Sequence, residues 1–210
     1  IWAVSALTMV SALGGFKYRI PSDVRKVMFS GEVMPANQLA CWQQALPEAE
    51  FVNLYGPTEI TCNCTYFPVK GILREEEKLP IGKAFPGRRV FLLTEEGREI
   101  REPEKTGEIC VAGESLSLGY YHNPTETRRR FRERKSPEGK EERYYRTGDL
   151  GFWGKDGNLY FSGRKDFQIK FNGHRIELEE IERVLDQMPG IEKSCCVTDQ
   201  RKTCLAAFYM

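Results

Sequence analysis

Apolar and polar positions in the first 55 residues follow helical and strand periods in turn. Residues 2–13 carry apolar side chains at helical spacing, and a glycine pair ends this predicted helix. The run 26–29 predicts a buried strand, Pro35 opens a second helix, and 51–55 predict another strand. The apolar helix positions are Trp2, Ala6, Met9, Val10, Leu13, Leu39, Trp42 and Leu46. The order predicts a layered α/β lobe with parallel strands.

The pattern changes after Tyr55. Proline and glycine turns separate strand candidates at 60–69, 89–94, 107–112 and 158–162. These strands predict a mainly antiparallel, distorted β-barrel lobe. The chain then continues with an alternating strand at 167–171, an amphipathic helix at 177–188 and two short strands at 195–197 and 205–209. These elements predict the start of an α+β subdomain. The charged stretch 128–143 is predicted to be the least structured part of the chain.

Composition narrows the class of protein. Lys and Arg number 31 against 30 Asp and Glu, which gives a net charge of +1, and 40% of residues are hydrophobic. These values argue against disorder and against binding of nucleic acid or a membrane surface through bulk charge. No apolar run is long enough to span a membrane. Seven cysteines without a CxxC pair predict free thiols in a cytoplasmic protein.

Three segments carry groups suited to a nucleotide. In Asn53–Glu59 a strand ends in an aromatic residue, and a Gly-Pro turn exposes a threonine and a glutamate. Such groups can stack on a base and hold Mg²⁺, with an ordinary tight turn as the alternative. In Tyr145–Asp149, a Thr-Gly-Asp turn presents a carboxylate to a ribose diol or caps a turn. Gly163–Asp166 is interpreted as a hinge or a surface turn.

Other polar residues have competing interpretations. Six basic residues in Arg128–Lys135 form either a patch for nucleic acid or an acidic carrier protein, or a solvated face neutralised by nearby glutamates. Cys62 and Cys64 are predicted to alternate on a strand and to be buried together. His122 and His174 have no acidic or nucleophilic neighbour in sequence, so we expect both to be structural or at the surface.

Together, four strings resemble the motifs of the adenylate-forming enzymes: acyl-CoA synthetases, luciferases and adenylation domains of nonribosomal peptide synthetases. They are YGPTE (Tyr55–Glu59), GEICVAGESLSLGYYHNP (Gly107–Pro124), YRTGDLG (Tyr145–Gly151) and GRKDFQIKFNGHRIELEEIE (Gly163–Glu182). The chain is most similar to the D-alanine–carrier protein ligases, especially in Met28–Val33 and Asp166–Glu182. The resemblance implies that an amino acid attacks the α-phosphate of Mg²⁺-bound ATP, and that the aminoacyl-AMP passes to a carrier-protein phosphopantetheine thiol.

The resemblance also implies roles for individual residues. Thr58 contacts the α-phosphate and Glu59 binds Mg²⁺, and these two are the implied catalytic residues. Tyr55 stacks on adenine and Asp149 holds the ribose hydroxyls. Further nucleotide contacts are implied for Ser30, Gly31, Glu32, Asn53, Gly56, Phe161 and Arg164. Asp166 corresponds to the hinge residue, and Gly173 to a residue of the pantetheine tunnel.

By the same resemblance, 1–165 form the C-terminal part of a large adenylation domain, with an α/β lobe at 1–58 and a barrel lobe at 59–165. Residues 166–210 begin a mobile C-terminal subdomain. The phosphate loop and a catalytic lysine are expected outside this fragment, which we expect to be inactive alone. The leading substrate is D-alanine for teichoic acid, although those ligases are expected to have cysteine at Ser30. The alternatives are another amino acid in a peptide synthetase and a non-catalytic scaffold module.

Overall fold

The computed structural model describes residues 1–74, 77–137, 139–171, 174–199 and 204–210. These residues form two compact units, Ile1–Lys165 and Asp166–Met210. The architecture is mixed α/β with mostly sheet, including a curled half-barrel, which confirms the predicted fold class. No described helix is both long and apolar enough to cross a membrane.

The first sheet has five strands in the order of the chain. They are β1 (Trp2–Ala3), β2 (Lys26–Ser30), β3 (Glu50–Tyr55), β4 (Thr65–Val69) and β5 (Lys83–Ala84). The pair β2–β3 is parallel, as the sequence predicts, and so is β1–β2, although β1 was not predicted; β4 and β5 are antiparallel. Two helices, α1 (Val4–Ala12) and α2 (Ala36–Ala45), follow β1 and β2 in the chain. The parallel register brings the carboxyl ends of β2 and β3 to the same edge.

The core of this lobe lies where α1 and α2 meet β2. Val27 and Phe29 of β2 pack with Leu7 of α1 and with Leu39 and Trp42 of α2. The Trp42 indole donates a hydrogen bond to the Leu7 carbonyl at 2.9 Å, so this buried ring has a partner for its only polar atom.

The predicted inner face of the first helix is wrong. Met9 and Leu13 are exposed, whereas Val4 and Leu7 are buried. The reason is that Trp2 lies in a strand parallel to β2, and the helix begins only at Val4. The sheet therefore sets which side of the helix faces inward.

The second sheet is antiparallel and has the order β11-β10-β8-β6-β7, with β9 paired to β10. The strands are β6 (Arg88–Leu93), β7 (Glu99–Ile100), β8 (Gly107–Gly113), β9 (Phe131–Lys135), β10 (Glu141–Trp153) and β11 (Leu159–Arg164). A short helix, α3 (Pro124–Arg130), precedes β9. The main core of the lobe includes Ile109, Val111, Tyr145 and Leu159.

The described parts of the stretch 128–143, namely residues 128–137 and 139–143, are largely helix and strand, contrary to the prediction, because their charges have partners on other strands. Arg134 pairs with Glu99 of β7 and Glu142 of β10, and its guanidinium lies 4.2 Å from the centre of the Phe91 ring. Within α3, Glu126 pairs with Arg129 at 2.7 Å and with Arg130 at 2.9 Å. These arginines are thus largely neutralised by carboxylates.

The predicted strand at 60–69 begins later than expected. Residues Thr58–Ile60 form a 3₁₀ turn, and β4 starts only at Thr65. As a result Cys62 lies in a loop at φ +79° and is exposed, so the prediction that it is buried beside Cys64 is wrong. Cys64 is buried as predicted, and burial raises the pKa of its thiol to about 12.

The second unit contains two hairpins and a helix. Its elements are β12 (Gln168–Phe171), β13 (His174–Glu177), α4 (Leu178–Leu185), β14 (Ser194–Thr198) and β15 (Leu205–Tyr209). The pairs β12–β13 and β14–β15 are antiparallel. The predicted strand, helix and strand pair are present, but β13 was not predicted, and Glu177, expected to begin the helix, is the last residue of β13. Both His122 of the first unit and His174 of the second are exposed, as expected.

Candidate functional site

Asp149 lies in a bulge within β10 and not in the turn that its sequence predicts. The register between β10 and β8 shifts between Arg146 and Leu150. Gly148 has φ +75°, a conformation that glycine adopts without the penalty of a Cβ atom. The Thr147 hydroxyl accepts a hydrogen bond from the Asp149 amide at 2.9 Å and donates to the Ile109 carbonyl at 2.8 Å. The threonine side chain thus anchors the bulge to the neighbouring strand.

Glu108 also supports this bulge, and sequence reasoning missed it. Its carboxylate accepts a hydrogen bond from the Gly148 amide at 3.3 Å and pairs with the Arg146 guanidinium. Glu108 is buried on β8. The available signal was a carboxylate inside the otherwise apolar strand Gly107–Gly113, where an ionised group needs a charged partner.

Asp149 is in contact with two other predicted site residues. The Tyr55 hydroxyl donates to Asp149 Oδ2 at 2.5 Å, and the Arg164 guanidinium pairs with Oδ1. Asp149 and Arg164 are opposite one another in the β10–β11 register, so their side chains lie on the same face. Arg164 also donates to the Thr147 carbonyl at 3.3 Å. The result is a carboxylate held between a phenol and a guanidinium.

This cluster is largely sheltered from solvent. The side chains of Asp149 and Arg164 are 11% and 18% exposed. Burial raises the pKa of Tyr55 well above its usual value, and the charge of Asp149 raises it further. Tyr55 is therefore a neutral hydrogen-bond donor across the physiological pH range.

Close packing of the backbone requires a glycine at position 56. A Cβ atom here would lie 2.6 Å from Asn63 Cα and 2.7 Å from the Cys62 carbonyl oxygen. The chain folds back over Gly56 because the Cys64 amide donates to the Tyr55 carbonyl at 2.7 Å. Gly56 thus allows the close return that fixes Tyr55 at the end of β3.

Thr58 and Glu59 occupy the 3₁₀ turn beyond this point and differ in burial. Thr58 is exposed, whereas Glu59 is only 6% exposed. Glu59 Oε1 accepts a hydrogen bond of 2.6 Å from the Tyr120 hydroxyl, which lies 3.2 Å from the Tyr145 hydroxyl. Sequence reasoning missed both tyrosines, although each lies in one of the matched strings.

The other predicted nucleotide contacts are less closely grouped. Ser30 ends β2 at the same sheet edge as Tyr55, and Gly31 and the half-buried Glu32 follow it. Asn53 is buried, and its side-chain amide donates a hydrogen bond to the Pro80 carbonyl at 2.8 Å. This bond joins strand β3 to residue 80. The remaining aromatic, Phe161 of β11, packs against the barrel core that Tyr55 also contacts.

The two predicted residues beyond the first unit have different outcomes. Asp166 is the first residue of the second unit, and its carboxylate accepts a weak hydrogen bond of 3.4 Å from the Gln168 amide. Gly173 lies outside the described residues. Its assignment to a pantetheine tunnel therefore stays a prediction.

The cluster can bind polar groups of a nucleotide without further charged residues. A carboxylate can accept two hydrogen bonds from a diol, a guanidinium can bind phosphate, and an aromatic ring can stack on a base. In the part of the chain that the structure describes, His, Cys, Asp and Glu form no group of three or more suited to a metal. A single buried carboxylate such as Glu59 suits Mg²⁺ that is shared with phosphate oxygens.

Comparison with known proteins gives a consistent picture. Residues 3–121 match the family model described as AMP-binding enzyme. The chain is 36% identical over 173 residues to surfactin synthase subunit 1 of Bacillus subtilis. This alignment covers 82% of this chain and 5% of that protein. It is also 39% identical over 169 residues to a D-alanine–D-alanyl carrier protein ligase of Bacillus velezensis. That alignment covers 80% of this chain and 32% of the ligase.

A solved structure is similar over almost the whole chain. The structure of holo-PA1221, an NRPS protein containing adenylation and PCP domains bound to a vinylsulfonamide inhibitor, superposes with a TM-score of 0.85 at 31% identity. The match covers 99% of this chain and 36% of that protein. The chain thus spans about a third or less of the length of each of these three proteins.

Proposed function

The chain belongs to the AMP-binding enzyme family, and from that premise we propose that it is part of an enzyme that activates an amino acid with ATP. The carboxylate of the amino acid attacks the α-phosphate and pyrophosphate leaves, which forms an aminoacyl-AMP. The phosphopantetheine thiol of a carrier protein then attacks the aminoacyl carbonyl, and AMP leaves. In this proposal Ile1–Lys165 form the C-terminal part of the adenylation domain, and Asp166–Met210 begin its mobile subdomain.

The observation that carries the proposal is the arrangement of Tyr55, Asp149 and Arg164. Strand β3 and the β10–β11 hairpin, which are distant in sequence, bring a phenol and a guanidinium into contact with one carboxylate. In the proposed complex, Asp149 binds the ribose hydroxyls, Arg164 binds ribose or phosphate oxygens, and the Tyr55 ring stacks on adenine. Thr58 contacts the α-phosphate, whose charge must be stabilised as the new bond forms.

Glu59 would hold the Mg²⁺ that accompanies ATP. The ion, when bound, neutralises phosphate charge. A buried carboxylate fixed by a tyrosine hydroxyl at 2.6 Å fits that role. We also propose a cytoplasmic location, because ATP is the substrate and all seven cysteines are free of disulfides.

D-alanine, destined for teichoic acid, is the leading substrate. Similarity in Met28–Val33 and in the run from Asp166 to Glu182 supports it. The similar identity to a surfactin synthase subunit supports a peptide synthetase adenylation domain for another amino acid as the second candidate. Mass spectrometry of a carrier protein after incubation with ATP and an amino-acid mixture in which only D-alanine carries deuterium distinguishes them, because unlabelled D- and L-alanyl groups have the same mass. A D-alanyl thioester supports the first candidate, and a thioester of another amino acid supports the second.

We also propose that Asp166 is the hinge between the two half-reactions. The first prediction is that Asp166→Pro in the complete protein lowers thioester formation more than it lowers adenylate formation. Proline fixes φ near about −65° and restricts the residue before it, so it would block a large backbone rotation at this position. The two half-reactions are measured separately, by pyrophosphate exchange and by thioester formation on the carrier.

Asp166→Ala is the matched control, because it removes the carboxylate that accepts from the Gln168 amide but leaves the backbone free to rotate. This variant should retain both half-reactions. An equal loss of both half-reactions in the proline variant, with the fold intact by circular dichroism, would remove Asp166 from the hinge role.

A further inference from the structure

The segment 114–123, which joins β8 to α3, is attached to the Thr58–Ile60 turn and its next residue by three hydrogen bonds. The Thr61 hydroxyl donates to the Ser115 carbonyl at 2.8 Å, and the Ser117 amide donates to the Glu59 carbonyl at 2.8 Å. The third bond runs from the Tyr120 hydroxyl to the Glu59 side chain at 2.6 Å. Of these three bonds, the third is the one made to the carboxylate.

The surroundings of Tyr120 hold its backbone in place. Its amide donates to the Thr127 hydroxyl at 2.9 Å, and that hydroxyl donates to the Asn123 carbonyl at 2.8 Å at the start of α3. Gly119, at φ +141°, lies so close to Thr127 that a Cβ atom would be 2.5 Å from its methyl carbon. A side chain at residue 119 would therefore displace Tyr120 from Thr127.

The Tyr120 ring is also fixed by aromatic neighbours. It packs edge-on to Phe131 with 5.9 Å between ring centres, and Phe131 in turn lies 4.9 Å from the fully buried ring of Tyr145. Two nearby side chains are instead exposed to solvent: Leu118 is 95% exposed and Tyr121 is 91% exposed. Tyr120 therefore turns inward, as Leu116 of the same segment does, whereas Leu118 and Tyr121 face solvent.

The Tyr120 hydroxyl is the donor of the bond to Glu59, and the carboxylate oxygen Oε1 is the acceptor. The second hydroxyl, from Tyr145 at 3.2 Å, extends the network into the barrel core.

We propose that Tyr120 is a positioning residue that fixes the orientation of the Glu59 carboxylate for the Mg²⁺ of Mg·ATP. This rests on the proposed function, in which Glu59 is the ligand of that ion. The hydroxyl bonds one carboxylate oxygen and so fixes the plane of the group before the ion arrives. Hydrogen-bond partners of metal ligands commonly act in this way, and their loss weakens metal affinity.

The test compares Tyr120→Phe with Tyr121→Phe in the complete protein. Both variants lose one hydroxyl from the same segment, but Tyr121 is almost fully exposed. ATP is titrated calorimetrically with and without Mg²⁺, in the absence of amino acid. For Tyr120→Phe we expect the affinity for Mg²⁺ in the ATP complex to fall about ten- to a hundredfold. Affinity for ATP without Mg²⁺ should be unchanged, and excess Mg²⁺ should restore tight binding. Tyr121→Phe should behave as wild type.

A second variant, Tyr145→Phe, leaves the bond from Tyr120 to Glu59 in place and removes only the supporting hydroxyl. It should cause a smaller loss of Mg²⁺ affinity. Identical Mg²⁺ dependence in the Tyr120 and Tyr121 variants would overturn the positioning role while leaving the proposed function standing. Equal weakening of ATP binding with and without Mg²⁺ would also overturn it, since that result indicates a general structural role. Wild-type protein that binds no ATP would overturn the proposed function and the positioning role together.

Discussion

Replacing Asp149 by alanine should lower both the affinity for ATP and the stability of the fold. In the proposed complex the carboxylate accepts hydrogen bonds from the ribose, and a bond to a charged group is worth about 1.5–3 kcal/mol, or about ten- to a hundredfold in affinity. In the ligand-free protein the same carboxylate is the acceptor shared by Tyr55 and Arg164. Removing one partner of such a sheltered ion pair should cost about 3 kcal/mol of unfolding free energy. Calorimetric ATP titration and urea denaturation measure the two effects.

Asp156→Ala is the matched control for this experiment. The exposed Asp156 lies at the other end of the same β10–β11 hairpin, where its carboxylate accepts a hydrogen bond of 2.7 Å from the half-buried Asn158 side chain. We expect no change in ATP affinity and only a small change in stability for this variant. Preference among amino acids should be the same in wild type and in Asp149→Ala. An unchanged ATP affinity in folded Asp149→Ala would exclude the ribose role.

Tyr55→Phe separates two roles of one side chain. It removes the hydroxyl that donates to Asp149 and keeps the ring proposed to stack on adenine. ATP affinity should therefore be largely retained, whereas stability should fall by about 1 kcal/mol for the lost hydrogen bond. A large loss of ATP affinity in this variant would show that the hydroxyl, and not the ring, is the group that matters.

Gly82→Ala should be among the most destabilising single substitutions in the chain. Gly82 has φ +83°, and a Cβ atom there would lie 2.0 Å from the Tyr66 carbonyl oxygen. Its carbonyl accepts from the Leu159 amide at 2.9 Å, and its own amide donates back at 3.1 Å, so it joins the two sheets of the first unit. The left-handed conformation costs about 1–2 kcal/mol and overpacking about 3 kcal/mol more. The sum approaches the whole stability of many domains.

Gly87→Ala isolates the steric part of this effect. Gly87 has a similar φ of +77°, but a Cβ atom there would meet nothing within 4 Å. This variant should lose only about 1–2 kcal/mol. Urea denaturation of both variants gives the difference. Equal stability of the two alanine variants would show that the close approach at Gly82 does not constrain the fold.

The elements that sequence reasoning predicted well are those whose signal is local. The apolar run of β2 and the face of α2 that carries Leu39 and Trp42 were found because each has the period of its own element. By contrast, the Thr-Gly-Asp sequence has the local chemistry of a turn. It forms a bulge because Glu108 and Ile109, about 40 residues away, supply its hydrogen-bond partners.

The same distinction applies to the candidate site. Tyr55, Asp149 and Arg164 were predicted from motif resemblance, and the structure joins them by direct contacts. Tyr120 was missed because its target, Glu59, is 61 residues away, and nothing in the intervening sequence links them. Strand β9 was missed for a similar reason, because the partners of Arg134 lie on other strands.

The most direct measurement of the central claim is amino-acid-dependent exchange of pyrophosphate into ATP by the complete protein. A panel that includes D-alanine, L-alanine and glycine is tested together with a reaction lacking amino acid, and folded Asp149→Ala is the negative control. We expect exchange that requires one amino acid, D-alanine in the leading interpretation, and that is strongly reduced in Asp149→Ala. Exchange by wild type that is independent of every amino acid tested, or no exchange by a folded protein that binds Mg·ATP, would contradict the claim.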